Sequence, residues 1–263
     1  MNIVRFIDED GQVRFGRPQP DGGAWVLEGD PFDRLRPTDR VVRVAKRIAP
    51  VDPPNVFAIG LNYRRHAEET GAALPDAPVI FIKANTSVAT PNAPILLPKA
   101  APNEVDYEAE LAIVIGRTAR DVSPGEAFDC VLGFTCANDV SARDCQLRLD
   151  KQWARGKSFD TFCPLGPVLV TPDQIDPDQV GIRTVLNGKV MQDSNTGDMI
   201  FGCRELVSYL SHQFTLLPGT VICTGTPSGV GFARKPPVFL RDGDEVTIEI
   251  DGIGQLTNPV IRQ

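Results

Sequence analysis

The sequence predicts a β-rich α+β fold, and three observations carry that prediction. Apolar runs such as VIFIK, ELAIVIG, CPLGPVLVT, TVICTG and DEVTIEIDGIG are short and separated by Gly and Pro turns. These strand-like runs do not alternate regularly with helical ones, which argues against a doubly wound parallel sheet. Only FGCRELVSYLSHQF, residues 201–214, sets its apolar residues (Leu206, Tyr209, Leu210, Phe214) near helical spacing.

Residues 1–50 open with NIVRFIDEDGQVRFGRPQPDGGAWVLEGD, short alternating runs broken by D-G, P-D-G-G and E-G-D, which is the pattern of small hairpins. PTDRVVRVAKRIAPVDPPNV then carries a basic run into a proline cluster and reads as a linker. A boundary near residue 50 follows, with a small N-terminal domain over 1–50 and a larger domain over 51–263.

GLNYRRHAEETG (60–71) holds one of the two histidines, with Glu69 three residues after His66. On a helical turn these side chains meet, so the carboxylate would orient the imidazole and raise its basicity, as a general base requires. A solvated surface pair has the same spacing. Lys83, in VIFIKANTS, is a candidate substrate-binding residue, placed to meet a carboxylate or an oxyanion. The segment TGAALPDAP after Glu69 places Gly, Ala and Pro where a lid would hinge.

NEVDYEAELAIVIG (103–116) places Asp106, Glu108 and Glu110 on alternate positions of an apparent strand, against Tyr107, Ala109, Leu111 and Ile113 on the other face. Either the acids keep a sheet edge soluble, or they hold a cation. GFTCANDVSARDCQ (133–146) supplies a third carboxylate, Asp139, with Arg143 and Gln146 following at helical steps. Oxygen ligands with no imidazole or thiolate suit a hard cation, Mg²⁺ or else Mn²⁺ or Ca²⁺, and three of them leave positions open for a substrate to chelate. N-D also makes turns and caps, so the spacing leaves both readings open.

Lys157, in QWARGKSFDTFCPLGP, follows Gly156, which allows close backbone approach, and is a candidate for stabilising a developing oxyanion. RGKS is not a phosphate-binding loop, because Lys151 stands where its first glycine belongs. TGTPSGVG (224–231) is no nucleophile elbow, because position 226 is threonine. His212, inside the 201–214 helix, reads as structural.

Composition excludes further classes. Lys plus Arg number 27 against 34 Asp plus Glu, a net charge of −7 that leaves nothing to neutralise a nucleic-acid backbone. No run approaches the length of a membrane span, and the N-terminus lacks the pattern of a signal peptide, so a cytoplasmic location is expected. The six cysteines form no C-x-x-C pair and offer no zinc spacing; most read as reduced core residues, with Cys145 a candidate reactive thiol.

Taken in order, GLNYRRHAEE, VIFIK, EVDYEAELAIVIG, GFTCANDVSARDCQ, QWARGKSFDTFCPLGP, LNGKVMQDSNTGDMIF and TGTPSGVG resemble the motifs of the fumarylacetoacetate hydrolase family, from about residue 53 to the C-terminus. The resemblance implies a mixed β-sandwich roll that dimerises, with residues 1–50 similar to the small extra domain of many bacterial members. It implies metal ligands at Glu108, Glu110 and Asp139, a water-activating dyad at His66 and Glu69, and an active-site lysine at Lys157. It also implies substrate contacts at Arg143, Gln146 and Thr226, while Asp106 matches no family ligand. Arg65 departs from the pattern, since many relatives carry an acid before the histidine. The favoured expectation is a metal-dependent hydrolase that splits a C–C bond in an acylpyruvate or related 1,3-dicarbonyl acid through an enolate. Isomerisation of a hydroxy-diene dioate and decarboxylation of an oxaloacetate-like acid pass through the same enolate and stay open as alternatives, as does a non-catalytic binding protein.

Overall fold

The computed structural model describes residues 1–263, arranged in an 11-stranded sheet, a five-stranded sheet and a two-stranded ribbon. The expected mostly-sheet architecture is what the chain adopts.

The first 50 residues form four antiparallel strands, Asn2–Asp8, Val13–Pro18, Gly23–Asp30 and Arg34–Arg47. They close on themselves, since Asn2–Asp8 pairs with both the second and the fourth. Of the segment 37–56 expected to be a linker, 48–55, with its prolines, is the connection to Val56–Gly60, and the basic part 37–47 belongs to the 14-residue strand Arg34–Arg47. Its Arg34, Arg36, Arg40, Arg43 and Arg47 are exposed, while Leu35, Thr38, Val42 and Val44 are partly covered; an antiparallel strand with one wet face accommodates those charges. Asn2–Asp8 also pairs with Cys163–Val170, so the N-terminal ring joins the main sheet through backbone hydrogen bonds.

Beyond that junction the sheet continues through Val131–Asn138, Ala109–Ile115, Val221–Cys223, Val56–Gly60 and Val79–Lys83. The five-stranded sheet runs Lys189–Asn195, Gly181–Leu186, Glu245–Ile250, Gly254–Arg262 and Ile95–Leu97. All seven residues of the central strand Ala109–Ile115 are buried. Ala109, Leu111, Ile113 and Ile115 join a core cluster of 45 buried residues, and Ala112 and Val114 join a second cluster of 15. Two-sided burial explains why the strand reads as a continuous apolar run beyond its acids.

The helix Cys203–Gln213 buries Leu206, Val207 and Leu210 as its spacing predicts. Tyr209 is only partly covered, and Phe214 lies just past the helix end, 42% exposed yet stacked on Phe57 at 5.2 Å between ring centroids. His212 is on the wet side, its Nδ1 bonded to the Ser208 carbonyl of its own helix. All six cysteines are free, and Cys145 is fully enclosed with its thiol pushed up by burial, which makes it a poor nucleophile.

Candidate active site

The E-x-E segment departs from a plain strand at one place. Val105–Asp106 pairs with Ser141–Ala142 as a separate ribbon, and regular pairing resumes at Ala109. Glu108 and Glu110 stay together, whereas Asp106 turns away to accept from Arg143 Nε at 2.9 Å and from the backbone N–H of Gly231 at 2.8 Å and of Phe232 at 3.0 Å. All three acids are buried, so the solvated-edge reading fails for each. Asp139 ends the neighbouring hairpin, its N–H bonded to the Glu108 carbonyl at 2.9 Å. One carboxylate oxygen from each of Glu108, Glu110 and Asp139 lies within 4.8 Å of the others.

Basic groups surround this cluster. Lys157 Nζ is 2.7 Å from both Glu108 and Asp139, Arg143 Nη1 is 2.7 Å from Glu108, and Lys83 pairs with Asp139. Lys157 reaches in because Gly156 packs against the backbone of Ala142 and Gln146. A Cβ there would lie 2.8 Å from the Gln146 amide nitrogen and 2.9 Å from the Ala142 carbonyl. Arg143 is held over the Phe232 ring and bonded to Gln146 Oε1 at 2.8 Å.

Charges this close set each other's protonation. Burial works against the Glu108 anion, but Lys157 and Arg143 outweigh it and hold that carboxyl down at about 2. Glu110 goes the other way: burial, then the Asp139 and Glu108 charges, push it well above the usual range. No salt bridge compensates Glu110, whose Oε2 accepts the Gly225 N–H at 2.8 Å. Four buried carboxylates thus face three buried cations, with the shortfall at Glu110. A compact all-oxygen donor set with one uncompensated acid fits a hard divalent cation.

The expected dyad forms on the helix Arg64–Thr70, with His66 Nδ1 3.3 Å from Glu69 Oε2. Glu69 is anchored from the far side by the Gly229 N–H, at 2.9 and 3.0 Å to its two oxygens. Gly229 adopts a φ of +101°, and a Cβ there would lie 2.4 Å from the Met191 carbonyl, so glycine is required where the loop meets the dyad.

One cavity of about 270 Å³ brings His66, Glu108, Glu110, Arg143, Gln146, Lys157 and Thr226 to a common space, with Ile59, Phe81, Trp153 and Phe232 among its apolar walls. A larger groove, about 790 Å³, lies between the N-terminal strands and Asp173–Gln174, but it assembles no comparable set of groups. Asp139 and Lys83 stand behind the cavity lining; Lys83 is directed at Asp139 and not at the open space, unlike the substrate contact expected of it. Thr70 and Ala72, from the segment expected to act as a lid, line the cavity mouth.

Two side-chain amides at the site lie outside the expected set of residues. Asn138 Oδ1 accepts the Glu108 N–H at 3.0 Å, and Gln192 Oε1 accepts the Ala109 N–H at 2.9 Å, so two side-chain amides fix the E-x-E backbone. Asn138 was within sight as the first residue of N-D; Gln192, on a different sheet, carried no local signal.

Known proteins match the chain over nearly its whole length. Residues 55–261 match the fumarylacetoacetate (FAA) hydrolase C-terminal family, and residues 1–46 match the Rv2993c-like N-terminal family. The chain is similar to the mitochondrial oxaloacetate tautomerase Fahd2a of Rattus norvegicus, at 47% identity over 216 residues, covering 81% of this chain and 69% of that protein. It is also similar to the crystal structure of 5-carboxymethyl-2-hydroxymuconate delta-isomerase from Mycobacterium smegmatis, with a TM-score of 0.89, 44% identity and 100% of both chains covered. The fumarylacetoacetate hydrolase of Exiguobacterium antarcticum superposes with a TM-score of 0.85 at 37% identity, again over 100% of both chains. With the motifs, the roll of sheets and the matched region all coinciding, the chain belongs to the fumarylacetoacetate hydrolase family.

Proposed function

We propose that this protein catalyses proton transfer beside the ketone of a small 2-oxo acid, an oxaloacetate-like or hydroxy-diene dioate, interconverting keto and enol forms or shifting the adjacent double bond. The observation that carries this reading is that His66, held by Glu69, lines the same cavity as Glu108 and Glu110 of the three-carboxylate cluster. The names of the tautomerase and isomerase relatives support it. A divalent cation held by Glu108, Glu110 and Asp139, Mg²⁺ with Mn²⁺ or Ca²⁺ as alternatives, would supply Lewis acidity toward a 2-oxo carboxylate and its enolate charge.

The chain's own groups do the rest. His66, oriented through Nδ1 by Glu69, presents its other ring nitrogen to take the proton from the carbon beside the ketone and deliver it to the enolate oxygen, or to the far carbon of the conjugated system when the double bond shifts. Lys157 lines the cavity and stabilises the oxygen that gains negative charge. Arg143, Gln146 and Thr226 receive the substrate's carboxylate, and Lys83 orients Asp139. Closure of residues 70–78 over the bound acid excludes water. Residues 51–263 form the catalytic domain of a homodimer and 1–50 an accessory domain.

A second reading, hydrolysis of a C–C bond in an acylpyruvate, is favoured by one observation: Glu69 is clamped between His66 and the Gly229 N–H, an arrangement suited to activating water. Decarboxylation shares the enolate. Product identification separates the three: tautomerisation or isomerisation conserves mass, hydrolysis yields two fragments, and decarboxylation yields CO₂.

A further inference from the structure

Gln192 lies on the strand Lys189–Asn195 and is 1% exposed. All four of its side-chain hydrogen-bonding positions are used. Oε1 accepts from the Ala109 N–H at 2.9 Å and from the Thr184 hydroxyl at 2.6 Å, and Nε2 donates to Thr226 Oγ1 at 2.9 Å and to the Pro227 carbonyl at 2.8 Å. A backbone N–H can only donate and a proline carbonyl can only accept, so the amide has one possible orientation.

That orientation decides what Thr226 offers. Its Oγ1 accepts a hydrogen bond from Gln192 Nε2, the only hydrogen bond it makes to protein. Thr226 also lines the catalytic cavity. Its hydroxyl proton has no acceptor in the protein and is left for whatever occupies that space, where Thr226 can donate.

We infer that Gln192 is a positioning residue that sets Thr226 as a hydrogen-bond donor to a carboxylate oxygen of the bound acid. This rests on the proposal that the cavity takes a 2-oxo acid. Gln192 also touches Ala109, between the two glutamates, so the competing possibility is that it acts through the carboxylate cluster. The two routes differ in what they change.

A double-mutant cycle of Gln192→Met and Thr226→Val separates them, read by calorimetric binding of oxalate in saturating Mg²⁺, by kcat and KM on oxaloacetate, and by Mg²⁺ affinity. Gln192→Met should weaken oxalate binding and raise KM about two- to twelve-fold, the worth of one neutral hydrogen bond. Thr226→Val should do the same, Thr226→Ser should bind as the wild type does, and kcat and Mg²⁺ affinity should stay within about two-fold. In the Thr226→Val background, Gln192→Met should add nothing. Equal losses in both backgrounds, or a fall in Mg²⁺ affinity with oxalate binding intact, would overturn the inference while leaving Thr226 as a substrate contact. Unchanged oxalate binding in Thr226→Val would remove that contact and the inference with it. Should Gln192→Met not fold, Gln192→Asn, which withdraws the amide by one methylene, takes its place in the cycle.

Discussion

Replacing Lys157 by methionine tests the electrostatic structure of the site without any assumption about substrate. The ammonium is 2% exposed and shared at 2.7 Å between Glu108 and Asp139, so solvent screens it little. Removing one partner of a buried ion pair leaves an uncompensated charge and costs about 3–5 kcal/mol. At about 2–4 °C per kcal/mol for a chain of this size, the metal-free variant should melt roughly 6–20 °C below the wild type at neutral pH.

The pH dependence has a definite sign. Glu108 is held at about 2, below its usual 4.5, so its ionisation stabilises the wild type fully above the unfolded value and that stability is lost as pH falls toward 2. Without Lys157 the burial that opposes the anion prevails and the advantage disappears. The gap between wild type and variant should therefore narrow below about pH 4.5, and Mg²⁺ should narrow it at neutral pH by replacing the missing positive charge. Thermal melts of chelator-stripped proteins from pH 3 to 8, with and without Mg²⁺, give the answer. Coincident melting, or a gap that widens on acidification, would refute this reasoning.

Three further outcomes are expected. His66→Ala should lower turnover by roughly 10²–10⁴ with folding and Mg²⁺ affinity retained, as kinetics beside a melt will show; unchanged turnover removes the base from the proposed chemistry. Glu110, pushed up by burial and by the Asp139 and Glu108 charges, holds its proton more tightly than an ordinary carboxyl, so Mg²⁺ binding should release protons and weaken as pH is lowered. Calorimetry in buffers of different ionisation enthalpy measures this, and heats independent of buffer would contradict it. Oxalate with Mg²⁺ should slow proteolysis within residues 70–78, and equal cleavage with and without oxalate would count against a lid.

What could be read from the chain alone follows how local each signal is. The His66–Glu69 contact needs only one helical turn, and Glu108 with Glu110 only a strand period, so both were visible before any fold was known. Asp106 shares the same period, but the chain breaks its pairing at Tyr107 and Glu108, and period alone cannot see a break. The basic stretch 37–47 reads as linker because it runs into the prolines of 48–55, which do connect two strands, and charge hides the alternation that makes it part of Arg34–Arg47. Lys83 was seen but aimed at substrate, since nothing in VIFIK reports that Asp139 stands in front of it. Gln192 was out of reach for a related reason: its four partners lie at Ala109, Thr184, Thr226 and Pro227, and only the packing of the two sheets brings them together.

The most direct measurement adds chelator-stripped protein, with and without Mg²⁺, to freshly dissolved enol-oxaloacetate, following the enol absorbance while products are identified. Faster enol decay that requires Mg²⁺, with oxaloacetate as the sole product, is the predicted result. Release of CO₂ would move the reading to decarboxylation, and cleavage of acylpyruvates with no effect on the enol would establish the hydrolase. No acceleration with either substrate class, in protein that binds Mg²⁺, would contradict enolate chemistry at this site.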